Sequence, residues 1–512
     1  MKPTCLLIPL LTLAAVRADD RPNILFLFSD DHALQAISAY GERFRELAPT
    51  PNIDRIAKEG ALFERSYCTN SICGPSRASI LTGKHSHLNG FRNNDTDKFD
   101  GTQQTFPKLL RSAGYSTAMI GKWHLVTEPT GFDHWDILPS QGNYYNPDFL
   151  STKPRQKRYE GYCTDIITDK AIEWLKNDRP KDKPFMLMCQ HKAPHRNWVP
   201  ATRHLDLFKG VEMPEPPSLF DDYSGRSKLL GTQHMTIARH FGWGNDMFLP
   251  KKPNNPTFLD MGGGGEPKRM NPEQLAAFEA AYREENEQLL AALEKGTIDD
   301  KELTRWKYQR YIKNYLRCVR ALDENIGRML DYLDETGLSK NTIVIYSSDQ
   351  GFYLGEHGWY DKRWMFEESL AMPFVIRWPG VVKPGVRSKA LIQNIDYAPT
   401  FLEAAGAPVP PDIQGRSLVP VLQNAGEAPS GWRDAIYYAY YGENTHNVPA
   451  HDGIRTARHK LFHFTGTDEW QLFDLEKDPQ EMKSIHEDPA SAPLLAELKT
   501  LYQKLRTQYQ VK

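Results

Sequence analysis

Four short apolar runs in this chain each stop on polar residues able to do chemistry, and that repeated pattern leaves few folds open. Residues 23–28 (Asn-Ile-Leu-Phe-Leu-Phe) are continuously apolar and of strand length, as a strand buried on both faces requires. They end at Ser29-Asp30-Asp31-His32. Residues 115–120 end at Gly121-Lys122-Trp123-His124, residues 185–189 at Gln190-His191-Lys192-Ala193-Pro194-His195, and residues 342–346 at Ser347-Ser348-Asp349-Gln350. Helical patterns fall at 51–59, led by Thr50 and Pro51, at 105–113, closed by Gly114, at 165–176 and at 316–336. Strands alternating with helices predict βαβ units, hence an α/β fold with a large, mostly parallel sheet sandwiched by helices. In such sheets ligands bind at the C-terminal ends of the strands, where these polar residues sit.

The stretch 196–265 is rich in Pro and Gly with little periodicity, and 271–295 reads as a polar helix; both are expected to be insertions that shape a cleft or dress the surface. Beyond Pro379 the texture changes to hairpin spacing, with strand-like segments at 436–441, 453–458 and 461–464 and a final helix at 494–508. The expected division is a catalytic domain over 19–380 and a smaller C-terminal subdomain with a short antiparallel sheet over 381–512.

The N-terminus reads as a signal peptide, residues 1–18: Lys2, an apolar run from Leu6 to Val16, and a small-residue cleavage site. Export, secreted or periplasmic, is the expectation, and no stretch is long enough to span a membrane. With 63 Lys+Arg against 65 Asp+Glu the net charge is −2, so no overall basic field exists to hold nucleic acid. Outside the leader five cysteines remain: Cys68, Cys73, Cys163, Cys189 and Cys318. In an oxidising compartment an odd count leaves at least one unpaired or chemically altered.

Asp30 and Asp31 side by side, with Asp349 on another strand, would repel one another unless a cation neutralised them. Together with the Gln350 amide they make an all-oxygen set suited to Ca2+ or Mg2+ rather than zinc. Lys122, His124, His195 and Lys362 fall near the same predicted edge and suit a tetrahedral oxyanion, with His as proton donor or acceptor. Cys73 precedes a short helical start beside Arg77, where its anion would be stabilised.

Cys73-Gly74-Pro75-Ser76-Arg77-Ala78-Ser79-Ile80-Leu81-Thr82-Gly83-Lys84 resembles the first signature of the type I sulfatases, C-x-P-S-R-x-x-x-L-T-G-[KR]. Gly114-Tyr115-Ser116-Thr117-Ala118-Met119-Ile120-Gly121-Lys122-Trp123-His124 resembles their second, G-Y-x-T-x-x-x-G-K-x-H. The resemblance implies an alkaline-phosphatase-like core and conversion of Cys73 to formylglycine, an aldehyde that hydrates to a diol, by a maturation enzyme. It implies that Asp30, Asp31, Asp349 and Gln350, with modified Cys73, hold one Ca2+ and that Arg77 orients the diol. Lys122, His124 and Lys362 would contact the diol or sulfate, and His195 would protonate the leaving alcohol. Many relatives carry Asn or His where this chain has Gln350, whose amide oxygen sits one methylene farther out.

The segment from Asp349 to Arg363 resembles carbohydrate sulfatases, especially those acting on 6-O-sulfated N-acetylglucosamine. Trp359, Tyr360 and Trp364 are candidate sugar platforms. His357, Arg363, His446, His451 and Arg455 are candidate contacts to the sugar. Iduronate, galactose and aryl esters stay open as substrates. A phosphoric ester hydrolase would be expected to show a Thr or Ser nucleophile and two His-rich metal sites, and a non-catalytic glycan-binding protein an unmodified Cys73.

Overall fold

The computed structural model describes residues 21–41, 43–250, 266–443 and 445–512; the leader read at 1–18 lies outside them. A ten-stranded sheet runs in the order Val386–Ser388, Ala61–Phe63, Phe374–Arg377, Thr342–Ser348, Asn23–Ser29, Phe185–Gln190, Ser116–Lys122, His134–Leu138, Asp148–Ser151 and Gln156–Arg158. The five strands from Thr342–Ser348 to His134–Leu138 are parallel, which is the expected core. The flanks are not: Phe374–Arg377 and Asp148–Ser151 join antiparallel, so the whole sheet is mixed.

The register of the central strands builds the site. Ser29 pairs with Ser348, Phe28 with Gln190, and Gly121 with Gln190, so Asp30, Asp349, Lys122 and His191 leave the sheet at one edge. Gly121 is required there: its φ is +110°, and a Cβ would lie 1.9 Å from the Gln190 carbonyl oxygen. Residues 24–28 are fully buried, as their unbroken apolar sequence demands.

Two helix groups cover the sheet. Pro51–Lys58, Cys163–Glu173 and Asp300–Glu335 pack together, as do Cys73–Thr82, Phe106–Ser112 and Tyr397–Ala404. Asp300–Glu335 begins well before the expected residue 316, because Asp299 and Glu302 form a capping box that nucleates it earlier. Its added turns are buried by the 196–250 region, which is core rather than decoration: Trp198 and Phe241 are buried against Tyr311, and Phe241 against Tyr360.

A second, four-stranded antiparallel sheet follows: Ala435–Tyr440, His451–Thr456, His459–Phe464 and Glu469–Asp474. The last of these was not anticipated. The helix Ala492–Gln508 closes a small separate apolar core on this sheet. Cys68, Cys73, Cys163, Cys189 and Cys318 are all buried and none is disulfide-bonded. Among the described residues no helix is long and apolar enough to cross a membrane.

Candidate active site

Strand ends and one helix start converge at the sheet edge. Asp30 and Asp31 follow Asn23–Ser29, Asp349 and Gln350 follow Thr342–Ser348, Lys122 closes its own strand, and all five are fully buried. Cys73 opens the helix Cys73–Thr82, 1% exposed, and its thiol donates to Asp30 Oδ1 at 3.3 Å. Arg77, one turn on, is tied down on every nitrogen: Nε and Nη2 donate to Asp349 Oδ2 at 3.1 and 3.0 Å, and Nη1 to the Lys122 carbonyl at 2.8 Å and Gln190 Oε1 at 2.6 Å. A guanidinium so clamped is a fixed charge, not a mobile arm.

Lysines meet the two adjacent aspartates. Lys122 Nζ contacts Asp30, and Lys362 Nζ donates to both oxygens of Asp31, at 2.7 and 2.8 Å. His195 Nε2 stands 3.7 Å from Asp31 Oδ2. Asp30, Asp31 and Asp349 thus stand against Arg77, Lys122 and Lys362, and burial works against the charged forms of Lys122 and Asp31, pushing the lysine well down and the carboxyl up to about 7.

The titration of these groups follows from burial. Burial pushes the Cys73 thiol up, so it is inert as it stands. Burial, then the charges of Lys122, Arg77 and Lys362, holds His124 well below its usual value. Burial, then Lys122, Lys192 and Lys362, does the same for His195. Both imidazoles are therefore neutral at pH 7, able to accept a proton beside an anion. Burial is the largest influence on Lys362 and would depress it, but Asp31, Cys73 and Asp361 together outweigh it and the lysine stays charged.

The residues fit a hard cation. Ligand atoms of Asp30, Asp31, Cys73 and His195 lie within 4.8 Å of one another, a separation at which two carboxylates repel by about 3 kcal/mol at an effective dielectric of about 20. Gln350 donates its Nε2 to Asp31, while its Oε1 is buried with no hydrogen-bond partner. A buried orphan amide oxygen beside paired carboxylates is a site that a divalent ion completes. Asp349 Oδ1 accepts from the Asp31 N–H at 3.0 Å, so its carboxylate holds the loop as well as Arg77.

A second cluster adjoins Lys362. Arg363 pairs with Asp361 and, at 3.4 Å, with Glu443; His446 Nε2 stands 3.3 Å from Asp361 Oδ2. Asp361, Glu443 and Gln190 were not singled out from the sequence. Gln190 could have been, since it ends a strand like the others; Asp361 and Glu443 carry no local signal beyond proximity to Lys362 and His446.

The other sugar candidates are placed differently. Trp359, Tyr360 and Trp364 are fully buried. Trp364 stacks on Trp359 and on His451, at 5.9 and 5.2 Å between ring centres, and Tyr360 packs on Phe241. These rings therefore fill the core instead of presenting platforms to a sugar, a correction that burial imposes on their sequence reading. His357 is fully buried, its Nδ1 2.9 Å from Asp221 and 3.1 Å from Arg226. Arg455 pairs with Glu367 at 3.1 Å and lies over the Tyr67 ring at 4.9 Å. These contacts brace the loop that carries Lys362. Arg455→Met should therefore cost about 3 kcal/mol of stability, the expected price of breaking a buried ion pair, with kcat changed less than about threefold; chemical denaturation and steady-state kinetics on one preparation check both.

Two family models match the chain: Sulfatase over residues 22–407, and N-sulphoglucosamine sulphohydrolase, C-terminal, over 355–508. An N-acetylglucosamine-6-O-sulfatase of Bacteroides thetaiotaomicron is 49% identical over 521 residues, covering 99% of this chain and 91% of that protein. Human N-acetylglucosamine-6-sulfatase is 26% identical, covering 83% and 68%. A solved structure in complex with its substrate D-glucosamine-2-N,6-O-disulfate superposes with a TM-score of 0.89 at 49% identity, covering 96% of this chain and 98% of that one. A phosphonate monoester hydrolase from Silicibacter pomeroyi, with a TM-score of 0.70 at 20% identity over 96% of each chain, shares the fold.

Proposed function

The chain belongs to the sulfatase family and is a sulfuric ester hydrolase, and from that premise we propose that it removes the 6-O-sulfate of N-acetylglucosamine or a related glucosamine. The observation that carries this reading is the convergence of Cys73, Arg77, Lys122 and Lys362 with Asp30 and Asp31 at one buried edge, in a chain 49% identical over nearly its full length to an enzyme of that name.

With Cys73 converted to formylglycine by a maturation enzyme and Ca2+ held by Asp30, Asp31, Asp349 and Gln350, the site gains an acidified hydroxyl nucleophile and a Lewis acid for the sulfate oxygens. The chain's own side chains do the rest. Arg77, clamped on three sides, fixes the position of the nucleophile. Lys122 and Lys362 offset charge on the sulfate oxygens as the ester bond breaks. His195, neutral in the free enzyme, takes up a proton beside the bound anionic ester and passes it to the departing sugar oxygen, and His124 takes one from the nucleophile's second hydroxyl. Arg363 and His446, held by Asp361, read the sugar hydroxyls, while His357, Trp364, His451 and Arg455 support them from behind. The leader read at 1–18 exports the protein to where such glycans occur.

The test is a panel of defined esters. Sulfate release from 6-O-sulfated N-acetylglucosamine or D-glucosamine-2-N,6-O-disulfate should exceed that from galactose 6-sulfate, iduronate 2-sulfate and aryl sulfates by about 100-fold in kcat/KM, as sites that hydrogen-bond a substrate hydroxyl reject analogues that misplace it. Equal rates across the panel would overturn the substrate reading.

A further inference from the structure

His195 lies on a loop beyond the strand end at Gln190, so no regular element fixes its ring. Its Nδ1 is 2.5 Å from the Arg196 carbonyl oxygen. A carbonyl only accepts, so Nδ1 carries the proton and, in the neutral ring, Nε2 carries the lone pair. Nε2 is the nitrogen that stands 3.7 Å from Asp31 Oδ2, on the side of the reaction. Where Nε2 points therefore depends on where the Arg196 carbonyl points.

Asp246, from the 196–250 region and fully buried, holds the segment that carries this carbonyl. Its carboxylate accepts from Arg196 Nε at 2.8 Å and Nη2 at 2.5 Å, from Asn197 Nδ2 at 3.2 Å and from the Gly242 N–H at 2.7 Å. Arg196 and Asn197 are the residues directly after His195. A buried carboxylate–guanidinium pair is a poor source of stability, since desolvation offsets most of the attraction. What its two-pronged geometry supplies is a fixed position. Tyr144 braces the other side. Its hydroxyl donates to the His195 carbonyl at 2.6 Å, and its own N–H is accepted by both oxygens of Glu266, at 3.0 and 3.1 Å. Lys192 Nζ lies 4.8 Å over the Tyr144 ring and donates to the same Arg196 carbonyl at 3.4 Å. We propose that Asp246 and Tyr144 are positioning residues for proton delivery: they hold the backbone at 195–197 so that the Arg196 carbonyl keeps the Nδ1 proton and Nε2 meets the departing oxygen. As the S–O bond breaks, its electron pair stays on the sugar oxygen, which takes the proton carried by Nε2. The inference rests on the role given to His195 above.

The experiment varies the leaving group, with the full-length, matured enzyme in Ca2+. An alkoxide needs the proton, whereas 4-nitrophenolate leaves without it, so 4-nitrophenyl sulfate bypasses the acid. Asp246→Asn should lower kcat for 6-O-sulfated N-acetylglucosamine by about 30-fold, as a slightly misplaced catalytic group does, with KM within about twofold and the aryl ester slowed less than about threefold. Arg196→Lys keeps the charge and loses the fork; it should give the same signature, and it decides the matter if Asp246→Asn does not fold. Tyr144→Phe removes one hydrogen bond and should show the signature at about fivefold. Independently of turnover, heteronuclear NMR of enzyme labelled in its histidine rings should show His195 protonated at Nδ1, and a mixture of tautomers in Asp246→Asn. Equal losses on both esters, a raised KM with kcat kept, or a wild-type His195 protonated at Nε2 would each overturn the proposal. His195→Gln separates it from the reading beneath. If that variant also slows both esters alike, His195 is not the acid, and the role given to it falls together with its positioning.

Discussion

Cys73→Ala should abolish sulfate release, lowering kcat by at least about 10⁴-fold, as removal of a nucleophile does in other hydrolases. The fold should survive. Cys73 sits in the first turn of Cys73–Thr82, and the change deletes one sulfur that makes a single 3.3 Å hydrogen bond. A small buried truncation of this kind costs about 1–2 kcal/mol, so near-native thermal unfolding with no turnover is the expected signature. Cys73→Ser separates nucleophile loss from loss of the diol: a serine hydroxyl can take the sulfate but has no second hydroxyl with which to expel it. A single burst should leave the protein heavier by about 80 Da. On the matured wild type, peptide mass spectrometry across Cys73 should show a loss of about 18 Da, the step from thiol to aldehyde. Active protein with an intact thiol would rule out diol chemistry.

Removing divalent metal should be nearly as severe. Dialysis against a calcium chelator should lower kcat by about 10³-fold, the scale of losing one dominant electrostatic stabiliser of the transition state. Added Ca2+ should restore it, and Mg2+ less well, because carboxylate and amide oxygens on separate loops suit the larger, geometrically tolerant ion. The same titration should raise thermal stability, since an ion that binds only the folded protein contributes about 2.7 kcal/mol at 100 times its Kd. Asp31→Asn should weaken the calcium dependence of both readouts. It also strands the Lys362 ammonium, which now donates to both Asp31 oxygens, so its kcat should not recover fully at saturating Ca2+. Full activity in chelator would exclude a metal role for this edge.

The centre of the sheet was legible because apolar runs of strand length have one comfortable place, a parallel core buried on both faces. Once those strands are aligned, Asp30, Lys122, His195 and Asp349 must meet, whatever the rest of the chain does. The antiparallel flanks were not legible: Asp148–Ser151 and Gln156–Arg158 are short, half polar and held by neighbours rather than by their own pattern. The start of Asp300–Glu335 escaped notice for a similar reason. Its first turns look solvated until the 196–250 region arrives, with Trp198 and Phe241 packing on Tyr311 and the Pro214 carbonyl accepting the Tyr308 hydroxyl. Aromatic residues near Lys362 misled in the opposite direction. A ring in sequence announces its area, not which side of the surface it ends on, and Trp359 and Trp364 spend theirs on each other.

The depth of Cys73 also sets a clock. With 1% of its surface reachable and the flanking residues through Thr82 buried with it, no enzyme can grip this segment and oxidise the thiol once the chain has folded. The conversion proposed for Cys73 would have to be finished while residues 73–84 are still extended, with folding as its deadline. A chain that folded before conversion would then be lost for good, a stable protein with every side chain in place and no diol. Slowing synthesis or folding should raise the active fraction of a preparation without altering the activity of any molecule in it.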